Sequence, residues 1–329
     1  MNCFEFFGLK PDHRKHPVQL VKHWDEVPDS KKVDYYLAQE KKDGVYAMVC
    51  IYEGAVAIFG RTGLKFTNVE HLEASISKQN AYHNKGTTEG DGVYIAELMS
   101  FDCELEELSG IVNPNRVNPL TEEQESIKAC LHLCYHDYLT VDDFVAGTAN
   151  APYTERLQTL GYSYCSGDII ITQYIHRDNM ETFADLFINT GGEGAVFKDP
   201  NAGWVAGHKG CHAMKKVRDV TLDLRCTGYE EGKGKYKGKV ANLLFELKDG
   251  RIFKAMLGKG YSHQSASTMF NAIKHNDDEG KTTIRGSDPR GKIFTIYGLQ
   301  PSSKGGLIRL PKVGELRHDK TEPDFPSMI

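Results

Sequence analysis

The residues of this chain that could do chemistry begin with Lys41-Lys42-Asp43-Gly44, a Lys-x-Asp-Gly run set immediately before the apolar stretch at 45–51. A lysine held by a tight acidic-glycine turn at the mouth of a buried strand is placed for covalent catalysis, its amine attacking an electrophile such as a nucleotide's α-phosphate. A free lysine has a pKa of about 10.4, so this role requires Lys41 to lose its proton through partial burial, nearby cations or a divalent metal ion. Two carboxylates stand where a packed strand would not want them. Glu97 lies near the end of Gly92-Val93-Tyr94-Ile95-Ala96-Glu97-Leu98-Met99, and Glu193 opens Glu193-Gly194-Ala195-Val196-Phe197-Lys198. A carboxylate beside an apolar strand must be paired or bind a cation, and such positions suit Mg²⁺ next to phosphates. Arg61, in Gly60-Arg61-Thr62-Gly63, offers a planar fork for a phosphate or a sugar. Taken singly, Lys41 also reads as a solvated turn and the other three as structural ion pairs.

Strands must position these groups, because alternating apolar segments outnumber long amphipathic helices. The pattern predicts strands at 45–51, 55–59, 92–99, 129–139, 168–174 and 194–197, with helices at 69–79, 151–160 and 179–190. Residues 109–125, rich in Asn, Pro, Arg and Glu, read as an excursion between two strands. From Val220 onward the pattern changes to short strands punctuated by glycine, at 221–228, 239–248, 251–257, 293–297 and near 307–310, with a helical insert at 263–275. Five short strands with one helix fit a small barrel of the oligonucleotide-binding (OB) type. The domain boundary is placed at 218–220.

At 329 residues, 40% of them hydrophobic and 26% charged, the chain can build two domains with real cores and is not a disordered polymer. The N-terminus runs quickly into Lys, Asp, His and Arg, and no stretch reaches membrane-spanning length, so a cytoplasmic location with no membrane partner is expected. Eight irregularly spaced cysteines form no CxxC pair and read as free thiols. The net charge of −5 argues against a generic nucleic-acid coat, yet Gly232-Lys233-Gly234-Lys235-Tyr236-Lys237-Gly238-Lys239 concentrates positive charge. Lys233, Lys235, Lys237 and Lys239 would suit a turn lying along a phosphate backbone, glycine permitting close approach and lysine neutralising charge. A solvated hairpin tip is the other reading of the run, which lacks P-loop spacing.

The order of the motifs decides between these readings. Lys41-x-Asp43-Gly44, Arg61-Thr62-Gly63, Glu97-Leu98, His136-Asp137-Tyr138, Glu193-Gly194, Lys215-Lys216 and Arg317-His318-Asp319-Lys320 follow the order and approximate spacing of the signature motifs of ATP-dependent DNA ligases. From about residue 35 to 325 the chain resembles that family, the bacteriophage members most closely. The resemblance implies an α+β fold, with an ATP-grasp-like nucleotidyltransferase (adenylation) domain of antiparallel sheets at 1–218 and an all-β OB-fold barrel at 219–329. The extra N-terminal DNA-binding domain of larger ligases would be missing. It implies ATP and Mg²⁺ as cofactors, Mn²⁺ substituting, and a monomer that clamps or encircles nicked double-stranded DNA during replication, repair or recombination, in the host cytoplasm if phage-encoded. The nick's 5′-phosphate and 3′-hydroxyl would be joined through a lysyl-AMP intermediate on Lys41.

As matching positions in the family imply, Glu40, Lys41 and Asp43 form the first motif, Arg61 contacts the nucleotide, Glu97 holds the ribose, Glu193 binds the metal with Glu97, and Lys215 neutralises the α-phosphate. Arg317, Asp319 and Lys320 would orient pyrophosphate as the barrel closes over the large domain. Three positions depart from the family pattern. Tyr46 stands where an arginine is usual. The adenine-stacking aromatic falls on His136 with Tyr135 adjacent, and since strand neighbours face opposite ways only one can stack. Val217 occupies the place of a second lysine, so that cation comes from Lys216 or Arg218, or is absent. The alternatives are an RNA ligase, a GTP-using mRNA-capping guanylyltransferase, and a non-enzymatic OB-fold nucleic-acid-binding protein, which would leave the first two hundred residues unused.

Overall fold

Strand Val45–Tyr52 is apolar almost without interruption because both of its faces are covered. Ala47, Val49 and Ile51 enter one core, while Met48 and Cys50 enter another. Strands Ala55–Gly60 and Gly92–Met99 divide in the same way, Ile58, Tyr94, Ala96 and Leu98 to one side and Ala57, Phe59, Val93 and Ile95 to the other. The computed structural model describes residues 1–84, 90–162, 167–247, 250–258, 260–278, 286–301 and 308–324. Its chain divides into two units, Met1–Val217 and Arg218–Ile329.

The first unit holds two five-stranded sheets. One runs Ala55–Gly60, Val45–Tyr52, Gly92–Met99, His132–Leu139 and Asp168–Ile169 in spatial order. Helices Glu70–Asn84, Leu105–Ile111, Glu122–Ala129 and Tyr153–Tyr162 send Ile76, Leu108, Ile127 and Leu160 into its first core. Cys3, Phe4, Phe144 and Trp204 help to fill the second. The other sheet runs Leu20–His23, Lys209–Val217, Gly194–Lys198, Tyr35–Glu40 and Thr172–His176. Helix Met180–Asn189 lays Met180, Phe183 and Ala184 on one face of it, against Tyr36, Ala38, Phe197 and Met214. Both sheets are mixed rather than antiparallel throughout, since Leu20–His23 pairs in parallel with Lys209–Val217 and His132–Leu139 with Asp168–Ile169.

Residues 41–44 carry the chain from one sheet to the other. The Lys41 amide donates to the Gly194 carbonyl at 2.8 Å, ending the first ladder. Gly44 then passes so close to strand Gly92–Met99 that a Cβ there would lie 2.5 Å from the Leu98 carbonyl oxygen and 2.7 Å from Glu97 Cγ. Gly194 is equally constrained, with φ at 137° and the Lys216 carbonyl oxygen 2.1 Å from where a Cβ would be. Both motif glycines therefore mark close backbone approaches.

The second unit is a closed barrel of Asp219–Glu231, Val240–Glu246, Ile252–Leu257, Ile308–Leu316 and Ile293–Pro301, with helix His263–Asp278 inserted. Leu224, Phe245, Ala255, Phe294 and Val313 fill it, and the helix adds Ile273. This is the five-stranded OB architecture expected from the glycine-punctuated strands.

Some elements differ from the sequence expectation. The excursion at 109–125 is partly helical, and helix Glu122–Ala129, closed by a Thr121/Gln124 capping box, delays the strand expected at 129 until His132. The single strand expected at 168–174 is two, Asp168–Ile169 in one sheet and Thr172–His176 in the other. Residues 248 and 307, at the ends of two expected barrel strands, and Cys165 lie outside the described residues. Among the described residues no helix is long and apolar enough to cross a membrane, and every cysteine is free.

Gly44→Ala should lower stability by about 1–3 kcal/mol, the ordinary cost of forcing atoms into a filled space. The measurement is a urea titration, in which the midpoint falls while the slope is unchanged.

Candidate active site

Lys41 sits where the sheets of the first unit meet, and its surroundings come from both. Its Nζ donates to Glu193 Oε2 at 2.6 Å. Glu193 directly precedes Gly194, whose carbonyl holds the Lys41 amide, so one dipeptide fixes both the backbone and the side chain of the lysine. A cavity with about 640 Å³ of empty space opens beside it, lined by Glu40, Lys41, Tyr46, Arg61, Glu97, His136 and Lys198 together with Gln19, Leu20, Gln39 and Val196. That size suits a small-molecule ligand.

Glu97 faces the cavity with Tyr46, its cross-strand partner. Burial raises its carboxyl to about 7 against the pull of Lys41 and Arg61, and the Glu193 charge adds to the rise. The Arg61 guanidinium carbon lies 5.4 Å from the Tyr46 ring centroid, a cation–π distance. Tyr46 thus props a neighbouring arginine instead of supplying one.

His136 reaches the cavity through a β-bulge. Ile95 pairs with Asp137 and Ala96 with Tyr135, leaving His136 as the extra residue. Tyr135 is fully buried in the apolar core, its ring 6.3 Å from that of Tyr94. Tyr135 is accordingly not a cavity residue, because the strand turns it away from the side that His136 occupies. Behind His136, Lys198 Nζ lies 3.2 Å from His136 Nδ1, 3.1 Å from the His136 carbonyl oxygen and 3.4 Å from Asp137 Oδ2. Arg156 grips the same carboxylate with Nε at 2.9 Å and Nη2 at 3.2 Å. Burial alone would raise the Asp137 pKa, but Lys198 and Arg156 outweigh it and hold the group at about 2. Burial and the Lys198 charge push His136 down to about 3. The imidazole is therefore neutral near pH 7, and with Lys198 donating to Nδ1 its proton resides on Nε2. Tyr153 donates to the His136 carbonyl at 2.8 Å and receives Gln39 Nε2 at 2.9 Å, anchoring the bulge from below.

Lys215 pairs with Val196, which pairs in turn with Gln39, so register places it on the cavity-facing side of its sheet although it is not itself part of the wall. Lys216 faces the opposite way, bound to Glu181 and Asp185 and 5.6 Å from the Trp24 ring centroid. It is removed as the second cation of the site. Besides Lys41 the wall holds the ammonium groups of Lys42, paired with Glu40, and of Lys198, to which the sequence reading gave no role. Glu40 lines the cavity and pairs with Lys42, while Asp43 is exposed and outside the lining.

Glu193 pairs with Lys41, and Glu97 lies close enough for the Lys41 charge to act on its carboxyl. Among the described residues no three metal-ligating side chains cluster. A donor set of one or two carboxylates is what Mg²⁺ uses when phosphate oxygens and water complete its shell, so these residues fit such an ion.

In the second unit, Arg317 follows strand Ile308–Leu316. Its Nε and Nη2 donate to Asp319 at 2.9 and 2.6 Å, and Nη1 donates to Asp223. Lys320 Nζ bridges Asp223 at 2.6 Å and Asp324 at 2.8 Å. The buried Asp223 also accepts from Thr295 Oγ1 at 2.6 Å. Burial would raise its pKa, and the hydrogen bonds from Lys320 and Thr295 lower it. Between two barrel strands, Lys235 lies within the 3-10 turn Gly234–Tyr236, Lys233 precedes it, and Lys237 and Lys239 follow. Gly234 and Gly238 take φ of 58° and 76° there, which explains those two glycines of the run.

Residues 18–218 match the family described as the ATP dependent DNA ligase domain. DNA ligase 2 of Haloquadratum walsbyi is 27% identical over 213 residues, covering 60% of this chain and 34% of that protein. The chain spans only 15–36% of the length of the curated relatives it matches, such as probable DNA ligases of Opitutus terrae and Mycobacterium bovis. A solved Lig E DNA ligase superimposes with a TM-score of 0.64 at 18% identity, over 91% of this chain and 98% of that one. The ATP complex of the bacteriophage T7 ATP-dependent DNA ligase gives 0.51 at 16% identity, over 92% and 98%. The shared fold is an adenylation domain followed by an OB barrel, and because the family match spans more than half of its residues, the chain belongs to the ATP-dependent DNA ligase family.

Proposed function

We propose that this protein seals 5′-phosphate/3′-hydroxyl nicks in double-stranded DNA, using ATP and a lysyl-AMP intermediate on Lys41. The observation that carries the reading is the Lys41–Glu193 ion pair, 2.6 Å long, at the edge of a cavity that also presents Arg61, Glu97 and His136. The Lys41 amine attacks the α-phosphate of ATP, a phosphorus–nitrogen bond forms, and pyrophosphate leaves. The AMP then passes to the 5′-phosphate of the nick, and the 3′-hydroxyl displaces it to form the phosphodiester. Each step is an in-line displacement at phosphorus, where positioning and charge stabilisation supply most of the catalysis.

In this reading the neutral His136 ring stacks on the base, Glu97 holds the ribose and Arg61 clamps a sugar or phosphate oxygen. Lys215 neutralises the α-phosphate from its row beside Val196. Mg²⁺, or Mn²⁺ in its place, would be held by Glu193 and Glu97 and would neutralise phosphate charge. Residues 1–218 act as the adenylation domain and 219–329 as the OB domain. From the latter, Arg317, Asp319 and Lys320 orient the departing pyrophosphate, and Lys233, Lys235, Lys237 and Lys239 follow the DNA backbone. The protein acts as a monomer clamped on the duplex in the cytoplasm, serving replication, repair or recombination.

Incubation with labelled ATP and Mg²⁺ followed by denaturing electrophoresis should show covalent label that Lys41→Ala abolishes without loss of folding. Label retained by that variant would falsify the assignment of Lys41, label from GTP alone would point to a guanylyltransferase, and absence of label from either would favour a binding protein.

Glu97 generates a pH dependence. A carboxyl raised to about 7 by burial contributes stability in its neutral form, fully present below the unfolded pKa of about 4.3 and lost as pH rises through about 7. In metal-free buffer, Glu97→Gln should match the parent protein below about pH 4 and exceed it by roughly 3 kcal/mol above about pH 7.5. Urea titrations across that range read the difference, and a constant offset would contradict it.

The lysine turn generates a salt dependence. Replacing Lys233, Lys235, Lys237 and Lys239 with alanine should reduce the slope of log affinity against log salt for a nicked duplex by about 0.9 per lysine. The loss should be similar on every nick sequence, since backbone contacts carry little base information. An unaltered slope would make the run a solvated hairpin tip.

A further inference from the structure

Gln19 carries a carboxamide nitrogen that the folded chain leaves unsatisfied. Its Nε2 is buried and has no hydrogen-bond partner, and the residue lines the cavity beside Lys41. A buried donor without an acceptor destabilises a protein. The polar side chains around it are engaged: Lys41 with Glu193, Gln39 with Tyr153, Glu40 with Lys42, and Lys198 with His136 and Asp137. Gln19 alone of these holds a buried donor free to meet a ligand in the cavity.

Strand register says which part of a ligand it would meet. The Lys41 amide is bound to Gly194, which lies level with Val217 on the neighbouring strand. Lys198, which supports His136, lies level with Ala213. On the strand that follows Gln19, Lys22 lies level with Met214 and Leu20 is two residues further along in the same direction, paired with Lys209 across an irregularity that bulges the longer strand. Gln19 is thus at the end of the cavity remote from the reactive amine, past the level of Lys198. A nucleotide with its α-phosphate at Lys41 and its sugar beside Glu97 would extend its base toward that end.

We propose that Gln19 reads the base of the nucleotide and selects adenine. Nε2 donates to the purine N7 and the carboxamide oxygen accepts from the N6 amino group, a two-point match that a glutamine makes with adenine. Guanine presents acceptors at both N7 and O6, so the carboxamide oxygen would oppose O6 and the match is lost. This rests on the ATP reading above and adds to it the residue that distinguishes ATP from GTP. Gln19 makes no contact with the reacting atoms and is a specificity-determining residue.

The test measures KM and kcat for lysyl-AMP formation with ATP, 7-deaza-ATP and GTP, in the full chain and in its Gln19→Leu and Gln19→Met variants. The parent protein should show a KM for 7-deaza-ATP roughly tenfold above that for ATP, the scale of one lost buried hydrogen bond. Both variants should raise the KM for ATP by about tenfold with kcat retained, should show no additional penalty for the 7-deaza analogue, and should lose about tenfold of the preference for ATP over GTP. The nucleotide-free Leu variant should melt no lower than the parent, since it removes an unpaired donor. A 7-deaza penalty that persists in the variants, an unchanged KM for ATP, no 7-deaza penalty in the parent, or a lowered melting temperature each overturns the assignment of Gln19 while leaving the ligase reading intact. Failure of the parent protein to take label from ATP overturns the ligase reading itself, and the assignment with it.

Discussion

The hydrogen bond from the Lys41 amide to the Gly194 carbonyl is the constraint on which the site depends. It is the last rung of one sheet, and within three residues Gly44 is already pressed against the backbone of the other. A chain that changes sheets in so short a span has almost no freedom in where the intervening residues lie. Each sheet then contributes one carboxylate to the crossing, Glu193 from beside the rung and Glu97 from beside the point of contact. Lysine, both acids and both glycines form one mechanical unit, and moving any of them disturbs the backbone of a sheet.

Beneath the cavity a second arrangement sets the electrostatics. Asp137 is buried between Arg156 and Lys198, and removing either cation would leave a charge poorly compensated in a dry interior, which is costly. Two cations share one carboxylate, so the cluster carries net positive charge below a cavity suited to an anion. His136 sits against it as a neutral ring. Protonating it would add a third positive charge to the same spot, and burial together with Lys198 opposes that.

The sequence made Lys41, Arg61, Glu97 and Glu193 visible because each is a charge set against an apolar run. The sheet around Val45–Tyr52 was visible for a related reason: covered on both faces, its strands are written as continuous hydrophobic segments. Strand Lys209–Val217 was not, because its lysines, glycine and histidine follow no simple alternation, and Tyr35–Glu40 hid in a mixed run directly before the motif lysine. The choice between Tyr135 and His136 depended on a bulge, which is a relation between two strands and leaves no mark on either one alone. Lys198 escaped notice as the final residue of a strand, since the partners that define it, His136 and Asp137, stand about sixty residues away. Gln19 could be singled out only once the acceptors around it were known.

The carboxylate of Asp223 has a consequence for the cations of the C-terminal motif. Arg317 and Lys320 both rest on it, and each has a further acid, Asp319 or Asp324, as a second partner. An incoming polyanion therefore finds these cations already carrying anions from the protein itself. Engagement amounts to ion exchange within the fold, one acid leaving as another arrives, with the number of charges drawn from bulk electrolyte nearly unchanged. In the role proposed for them, these two cations would act as a loaded exchanger, yielding to a multivalent anion able to satisfy both at once.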